Sequence, residues 1–329
     1  MFKFKTKIPV TVVGGFLGAG KTTLVNHLIK TGGRRFGVIV NEFGDIGVDG
    51  ALIENLDSDG VTEFAGGCIC CAGRDDLAEA MYKLAMRNNP PQHLLIELSG
   101  LADPVPVAQT VLDPQLRGLF ELDGIVGVVD ARHLERTLQE VPEGAVQIAY
   151  ASVVVLNKTD LVTNAQLERA RELIARLNPL AQIVETTNAA APSEVLEQRA
   201  FSEDWKPKGH VHEHASDVTS FAVSCDAPLD VLSWNAFMDD CILTRPGNVF
   251  RVKGFLSFAQ LPEEMIFQAV REIVYVTKSE RPTSGVSSLV VIGRGLDQAE
   301  YQQRFSEADK PMSLEARLQR WGGQLQTQV

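Results

Sequence analysis

A short glycine-rich stretch near the start of the chain, GGFLGAGKTT at residues 14–23, limits the choice of fold more than any other feature. Gly15, Gly20, Lys21 and Thr22 match the pattern GxxxxGK[ST], and the stretch lies between an apolar run and a helix-like run. In such a loop, backbone N–H groups surround phosphate oxygens, the lysine reaches the terminal phosphates, and the threonine hydroxyl binds Mg²⁺. The alternative is a glycine-rich turn that precedes a lysine by chance. The flanking pattern favours a phosphate-binding loop, with Lys21 as a catalytic residue.

Composition excludes several classes of partner. The 329-residue chain carries a net charge of -11 and has a pI near 5.1, so no basic field would attract nucleic acid. No apolar stretch approaches the length of a membrane span, and the apolar run after the basic start is better interpreted as a first strand than as a signal peptide. Three of the five cysteines fall within four positions, which indicates a metal or redox use in a reducing cytoplasm. We therefore expect a cytoplasmic protein without nucleic-acid or membrane partners.

Apolar segments alternate with helix-length segments through the first part of the chain, as in a parallel sheet with crossover helices. The predicted strands cover residues 8–13, 36–40, 93–98, 124–130, 152–156 and 182–185. Later strands and helices follow in a mixed order. The predicted fold is therefore α/β, a P-loop NTPase parallel sheet flanked by helices, followed by a smaller α+β C-terminal domain. The predicted division is a P-loop domain over 1–195, a linker over 196–217, the α+β domain over 218–310 and a polar tail over 311–329.

The strand at 93–98 ends in the sequence ELSG, which contains Glu97 and Gly100. In phosphate-loop proteins an acidic residue on this strand orients Mg²⁺, and the glycine after it bonds the γ-phosphate through its N–H. The alternative is a strand-end acid that only satisfies neighbouring groups. We expect Thr22 and Glu97 to hold Mg²⁺ together, and we count Glu97 among the catalytic residues.

The strand at 152–156 is followed by Asn157, Lys158, Thr159 and Asp160. An aspartate at this place accepts hydrogen bonds from both the ring N–H and the exocyclic amine of guanine, a donor pair that adenine lacks. The lysine stem then packs on the base, and the asparagine braces the loop. A four-residue match alone is weak, but its position after the phosphate loop and the acid strand favours a guanine site. The segment TTNA at 186–189 would flank the base.

Cys68, Cys70 and Cys71 form a CxCC cluster inside a glycine-rich loop. Thiolates at this spacing reach one soft or borderline cation. Since Zn²⁺ takes about four ligands, the cluster needs a carboxylate, a histidine, water or a second subunit, and the last option implies a nucleotide- or metal-dependent homodimer. Small buried apolar cysteines are the alternative.

Polar residues also follow the strand at 36–40, in the sequence NEFGD. Asn41, Glu42 and Asp45 therefore lie beyond the carboxyl end of a strand, where open α/β sheets place their ligands. A polar turn rich in glycine is the alternative. The position favours a functional role for Glu42.

Three histidines alternate in the linker, at His210, His212 and His214. Alternate spacing puts them on one side of an extended segment, which indicates a secondary metal contact. A solvated linker explains the same pattern equally well.

Within the α+β domain we expect a helix over about 229–242, one strand through Met265 to Thr277, and buried thiols at Cys225 and Cys241. Four cations fall on its strands: Arg251, Lys253, Arg281 and Arg294. They bind an anion or a partner, or they are solvated charges at exposed sheet edges, the commoner case.

Five segments together carry a likeness to a known family. GGFLGAGKTT, NEFG, GGCICC, ELSGLADP and NKTD, in this order and at these spacings, resemble the CobW-like family of GTP-dependent metallochaperones. These are relatives of the SIMIBI-class GTPases that insert nickel during urease and hydrogenase maturation. RVKGFL, SERP and VVIGRGLD resemble the C-terminal domain of the family, and the HxHxH stretch is similar to its longer histidine-rich linkers.

The resemblance implies a GTPase of low turnover that uses Mg²⁺, binds Zn²⁺, Co²⁺ or another transition metal as cargo, and passes it to a client metalloprotein. It implies that Glu42 joins Cys68, Cys70 and Cys71 around the transferred metal. The nucleotide-binding residues that it implies are Gly15, Gly18, Ala19, Gly20, Lys21, Thr22, Thr23, Gly100, Asn157, Lys158 and Asp160. Because Glu42 and the cysteine loop lie between the phosphate loop and the acid strand, ordering by γ-phosphate and Mg²⁺ would complete the metal site.

Two other functions use the same phosphate loop. A small-molecule kinase would prefer ATP and need an acceptor pocket, and the NKTD sequence opposes it. A regulatory GTPase would keep a permanent structural zinc at its cysteines. Metal delivery is favoured over both because the cysteines fall in the region that faces the nucleotide.

Overall fold

A computed structural model describes most of the chain. The described residues are 7–41, 61–64, 74–100, 102–141, 143–197, 218–245, 248–271, 273–313, 315–316 and 318–320. The chain divides into two compact units, Met1–Glu203 and Asp204–Val329. Across the described ranges, no helix is both long enough and apolar enough to cross a membrane.

The N-terminal unit is built on one seven-stranded sheet in the order β3-β2-β4-β1-β5-β6-β7, in which every neighbouring pair is parallel. Its strands are β1 (Ile8–Gly15), β2 (Phe36–Asn41), β3 (Val61–Phe64), β4 (His93–Glu97), β5 (Phe120–Asp130), β6 (Val153–Asn157) and β7 (Gln182–Glu185). Its helices are α1 (Lys21–Thr31), α2 (Arg74–Ala85), α3 (Val105–Val111), α4 (Leu134–Glu140), α5 (Glu143–Tyr150) and α6 (Asn164–Leu177). This architecture confirms the predicted α/β class.

The inner strands are buried because they carry apolar residues on both faces. Both β4 and β6 are buried along their whole length, as the continuous apolar runs predict for a parallel sheet covered by helices. The chain leaves β1 toward β2 and β3 and later returns to β5 on the other side. All the carboxyl ends lie at one edge of the sheet, and the change of direction marks where ligands bind in such sheets.

The strand β3 is absent from the predicted list of strands. It pairs with β2, and Phe64 lies opposite Asn41. Its sequence, VTEF, is short and half polar, so no apolar run indicates it. It forms because β2 offers a parallel edge for hydrogen bonding.

The C-terminal unit contains an antiparallel sheet in the order β11-β10-β9-β12-β8. Its elements are β8 (Val218–Cys225), α7 (Val231–Phe237), β9 (Val249–Leu256), β10 (Glu263–Val270), β11 (Ile273–Pro282), β12 (Ser287–Arg294) and α8 (Gln298–Ser306). Its core is aromatic, with Trp234 packed edge-on against Phe267 and Phe305. The α+β prediction is confirmed, and Cys225 and Cys241 are buried free thiols as predicted.

Two details of this unit differ from prediction. The single strand expected from Met265 to Thr277 is wrong, because the chain reverses between β10 and β11 at Arg271, whose φ is 49°. Arginine is not a typical turn residue, so the sequence carries no signal there. The helix expected over about 229–242 begins at Val231 and changes to a π-helix over Met238–Leu243.

The predicted exposure of the strand cations is wrong for Arg251 and Lys253. Both lie on β9, which pairs with β10 and β12 and is therefore an inner strand. Both side chains are buried. The edge of a sheet depends on strand order, which a local pattern does not contain.

Candidate functional site

The phosphate loop begins where β1 ends and finishes at the first residue of α1. Gly15 has φ 137°, and a Cβ at this position would collide with the carbonyl oxygen of Val128 on β5. Gly20 is the N-cap of α1, with φ 108°. The loop therefore folds closely against the sheet and places the N-terminal turn of α1 at the carboxyl edge.

Lys21 and Thr22 start α1 and point to different partners. The Lys21 ammonium is almost fully buried and donates a hydrogen bond to the carbonyl oxygen of Phe16 at 3.1 Å. The Thr22 hydroxyl donates to Glu97 Oε1 at 2.7 Å. The loop thus holds a cation and a hydroxyl–carboxylate pair beside the N-terminus of one helix.

Glu97 is the last residue of β4 and is buried. Since β4 pairs with β1 and Glu97 lies opposite Val13, the carboxylate reaches across to the start of α1. Hydroxyl and carboxylate oxygens are the donors that Mg²⁺ prefers. The residues predicted to hold Mg²⁺ therefore lie together, and their chemistry fits the ion.

The loop after β4 packs against the phosphate loop. A Cβ on Gly100 would lie 2.8 Å from the backbone nitrogen of Leu17, so only glycine allows this approach. Gln147 on α5 donates to the carbonyl oxygens of Gly100 and Ala102, each at 3.3 Å. Gln147 is missing from the predicted site residues, although an amide between the apolar residues Val146 and Ile148 was a signal that could have identified it.

Asn157 joins three segments of the site. Its Nδ2 donates to the carbonyl oxygen of Ala19 at 2.9 Å, while its Oδ1 accepts from the Ala189 N–H at 2.7 Å and from the Thr186 hydroxyl at 3.1 Å. The side chain is buried, so these bonds are shielded from water. One amide therefore fixes the phosphate loop relative to the loop after β7.

Lys158 and Asp160 come just after Asn157 in the chain. Lys158 has a left-handed backbone, with φ 61°, and its Nζ lies 2.6 Å from Oδ2 of Asp130, which ends β5. Asp160 is exposed in a short 3₁₀ turn, where its carboxylate is accessible to a ligand. Asp130 is a further residue that sequence reasoning missed, because its contact with Lys158 joins two different strands.

The predicted metal ligands lie outside the described residues. These are Glu42, Cys68, Cys70 and Cys71, together with His210, His212 and His214. Within the described ranges, no group of three or more histidine, cysteine and acidic residues is suited to hold a metal ion. The strands that lead to the first four are described: Asn41 ends β2 one residue before Glu42, and Phe64 ends β3 four residues before Cys68.

Comparison with known proteins identifies both parts of the chain. The profile described as CobW/HypB/UreG, nucleotide-binding domain, matches residues 9–185, and the profile of the cobalamin synthesis protein cobW C-terminal domain matches residues 218–309. The chain belongs to the CobW family. The nucleotide-binding profile spans the phosphate loop, Glu97 and the NKTD sequence.

Relatives within the CobW family match over most of their length. "Zinc chaperone YjiA" of Escherichia coli (strain K12) is 31% identical over an alignment of 317 residues, which covers 91% of this chain and 98% of that protein. "Zinc chaperone CobW" of Sinorhizobium sp is 33% identical over an alignment of 307 residues, which covers 80% of this chain and 85% of that protein. A crystal structure of Zn(II)-bound YjiA GTPase from E. coli matches with a TM-score of 0.72 at 26% identity, over 93% of this chain and all of that one.

Proposed function

We propose that this CobW-family protein is a GTP-hydrolysing metallochaperone that binds Zn²⁺ or another transition metal such as Co²⁺ and delivers it to a client metalloprotein. Its class, a GTPase, follows from membership of a family whose relatives carry that name. Metal cargo is supported by relatives named as zinc chaperones. We further propose that the metal binds at the cysteines, that it is delivered to a client, and that GTP controls its binding.

The nucleotide is held by two sets of residues. Backbone N–H groups of the phosphate loop (residues 15–23) and the Lys21 ammonium bind the phosphates, for which Lys21 leaves the Phe16 carbonyl oxygen. Asp160 accepts from the two guanine donors, and Asn157 keeps this segment aligned with the phosphate loop through Ala19. Gly100 lies against the phosphate loop, and we expect its N–H to bond the γ-phosphate.

Thr22 and Glu97 would hold Mg²⁺. When bound, the ion neutralises charge on the β- and γ-phosphates. Glu97, which is itself buried, keeps the Thr22 hydroxyl in position through their hydrogen bond. The geometry favours a site that is already arranged before the nucleotide arrives.

The strand order supports the proposal that binding at the metal site and binding at the nucleotide site are coupled. The strands β3, β2, β4 and β1 are parallel neighbours, so Phe64, Asn41, Glu97 and Gly15 all end at the same edge of the sheet. In register, Val40 lies opposite Glu97. The segment that carries Glu42 therefore starts beside the predicted Mg²⁺ acid, and the segment that carries the three cysteines starts one strand further away. This neighbourhood supports a metal site formed by Glu42, Cys68, Cys70 and Cys71 that responds to the nucleotide.

Three further expectations remain proposals. The chain divides into the nucleotide domain 1–195, the linker 196–217, the α+β domain 218–310 and a polar tail 311–329. His210, His212 and His214 give a secondary metal contact in that linker. The protein acts in the cytoplasm and forms a nucleotide- or metal-dependent homodimer.

Zinc titration in different nucleotide states tests the proposal. Purified full-length protein is titrated with Zn²⁺ against a chromophoric chelator, with Mg²⁺ and a non-hydrolysable GTP analogue, with Mg²⁺ and GDP, and without nucleotide. We expect the tightest binding with the GTP analogue and a loss of this site in Cys70→Ser, with the matched change Cys225→Ser as control. If all three states have equal Zn²⁺ affinity, GTP control is excluded. Zinc that resists chelation equally in every state, with Cys70→Ser unfolded, would instead support a permanent structural zinc.

A further inference from the structure

Asp130 lies beside the NKTD sequence although it is 27 positions away from Asn157 in the chain. The strands β5 and β6 are parallel neighbours, with Asp130 opposite Asn157. The ladder continues past the strand end, because the Ala131 N–H donates to the Asn157 carbonyl oxygen at 2.9 Å. The end of β5 is thus fixed to the start of the predicted guanine-binding sequence.

The Asp130 carboxylate is nearly buried and has three hydrogen-bonding neighbours. Oδ2 accepts from Lys158 Nζ at 2.6 Å and lies 3.1 Å from His133 Nδ1, while Oδ1 accepts from the Arg132 N–H at 2.9 Å. Burial by itself would raise the pKa of Asp130, but the hydrogen bonds from Lys158, His133 and Arg132 lower it below the ordinary aspartate value. The carboxylate is therefore ionised at neutral pH and forms a charged bond with Lys158.

Both ends of the Lys158 side chain are fixed. Its backbone is left-handed, with φ 61°, and its ammonium is held by Asp130. About 31% of the side chain remains exposed. A free lysine would occupy many rotamers, and each nucleotide that packed on its stem would lose that entropy on binding. A lysine anchored at Nζ presents its four-carbon stem in one orientation.

We propose that Asp130 is a positioning residue of the guanine site, which holds Lys158 so that its aliphatic stem forms a wall against the base. This inference rests on the proposed function, since it assumes that the chain binds guanine nucleotides. It concerns affinity for the purine ring and not the recognition of its amine, which belongs to Asp160. Asp130 acts through Lys158 and does not contact the nucleotide.

A double-mutant cycle measures this coupling. Wild type, Asp130→Asn, Lys158→Met and the double variant are titrated with a fluorescent GDP. Asparagine keeps an acceptor for the Arg132 N–H, and methionine keeps an apolar stem without the ammonium. We expect each single change to weaken GDP binding about 10-fold, the effect of losing one charge-assisted contact. We expect the double variant to bind GDP as Lys158→Met does, because Asp130 has nothing left to hold.

The discrimination between GDP and IDP separates this role from a general structural one. IDP lacks the exocyclic amine, so its affinity reports the purine ring without that donor. Asp130→Asn should weaken both ligands equally and leave their ratio unchanged. Asp160→Ala should instead reduce the ratio, because it removes the acceptor for the amine. Glu135→Gln is the matched control, since Glu135 lies on α4 and pairs with Arg169.

Three results would overturn the inference. One is a GDP affinity of Asp130→Asn equal to that of wild type. Another is an Asp130→Asn effect that stays about 10-fold in the Lys158→Met background, which would show that Asp130 acts by another route. If Asp130→Asn does not fold, Asp130→Ser is measured under the same criteria. The third is failure of wild type to bind GDP, which would also overturn the proposed GTP dependence, whereas the first two leave it intact.

Discussion

Two lysines of this protein are almost equally buried, and they have opposite explanations. Lys21 and Lys253 are 7% and 8% exposed. Lys21 lies in a loop whose glycine pattern predicts an anion, and it starts a helix whose N–H groups favour the same charge. Lys253 lies on an inner strand next to the buried Arg251, and no motif surrounds it. A buried cation thus indicates a ligand only where the backbone around it is built for that ligand.

Burial affects the acid–base behaviour of the second lysine directly. Burial, and then the charge of Arg251, lower the pKa of Lys253 to about 7. Burial also lowers the pKa of Arg251, to about 10. The buried Lys253 therefore makes the stability of the C-terminal unit depend on pH. For the buried Lys21, in contrast, we propose a role in nucleotide binding.

The largest expected effect is that of Lys21→Ala. This change removes the ammonium that we propose binds the terminal phosphates, so affinity for a GTP analogue should fall at least about 100-fold, the loss of one or two charge-assisted hydrogen bonds. Calorimetric titration measures it, with the unfolding temperature as a check on the fold. Lys30→Ala, at the exposed end of the same helix, is the control. If Lys21→Ala bound the GTP analogue as tightly as wild type, Lys21 would not be a ligand-binding lysine, and its contrast with Lys253 would be wrong.

Glu97→Gln should have the next largest effect, on turnover. Glutamine keeps an acceptor for the Thr22 hydroxyl but lacks the charge that Mg²⁺ requires, so kcat should fall about 100-fold. GTP binding without Mg²⁺ should change little. Phosphate release measured against Mg²⁺ concentration separates the two effects. The control is Glu140→Gln, an exposed acid on α4. An unchanged Mg²⁺ dependence would exclude Glu97 from the magnesium site.

Lys253→Met should change stability alone, and its effect is the smallest when it is counted per pH unit. The folded pKa is about 7 and the ordinary value is 10.5, so the unfolded chain binds more protons between these pH values. The free energy of unfolding should therefore rise with pH across this window through Lys253, by at most about 1.4 kcal/mol per pH unit. Denaturant titrations at several pH values should show a smaller slope in Lys253→Met. Lys278→Met, an exposed lysine on the same sheet, should keep the wild-type slope. Identical slopes in all three would contradict the depressed pKa.

Local patterns predicted most of the N-terminal unit. The apolar runs indicated six of its seven strands, and the phosphate loop indicated where the carboxyl edge would bind a ligand. The sequence also predicted that Thr22 and Glu97 lie close together. Thr22 follows β1 and Glu97 ends β4, and in phosphate-loop proteins the acidic strand places its carboxylate near the loop. Membership of the CobW family was predicted from the same motifs and is confirmed.

Features that depend on long-range packing were not predictable in this way. Gln147 reaches the loop after β4 from a helix, 47 positions later than Gly100, and Asp130 at the end of β5 contacts Lys158 just after the neighbouring β6, 28 positions later. The burial of Arg251 follows from the strand order of the C-terminal sheet. These contacts join residues that are far apart in the chain, so a local sequence pattern does not reveal them. The predictions for Glu42 and the three cysteines stay predictions.

The coupling between metal and nucleotide is most directly tested by titrating one GTP analogue, with Mg²⁺ present, into zinc-loaded and metal-free protein. Linkage requires that Zn²⁺ strengthen GTP binding by the same factor by which GTP strengthens Zn²⁺ binding. We predict a Kd at least about 5-fold lower for the zinc-loaded protein, the lower end of typical coupling. Equal Kd values would contradict the account, because the shared sheet edge would then carry two independent sites.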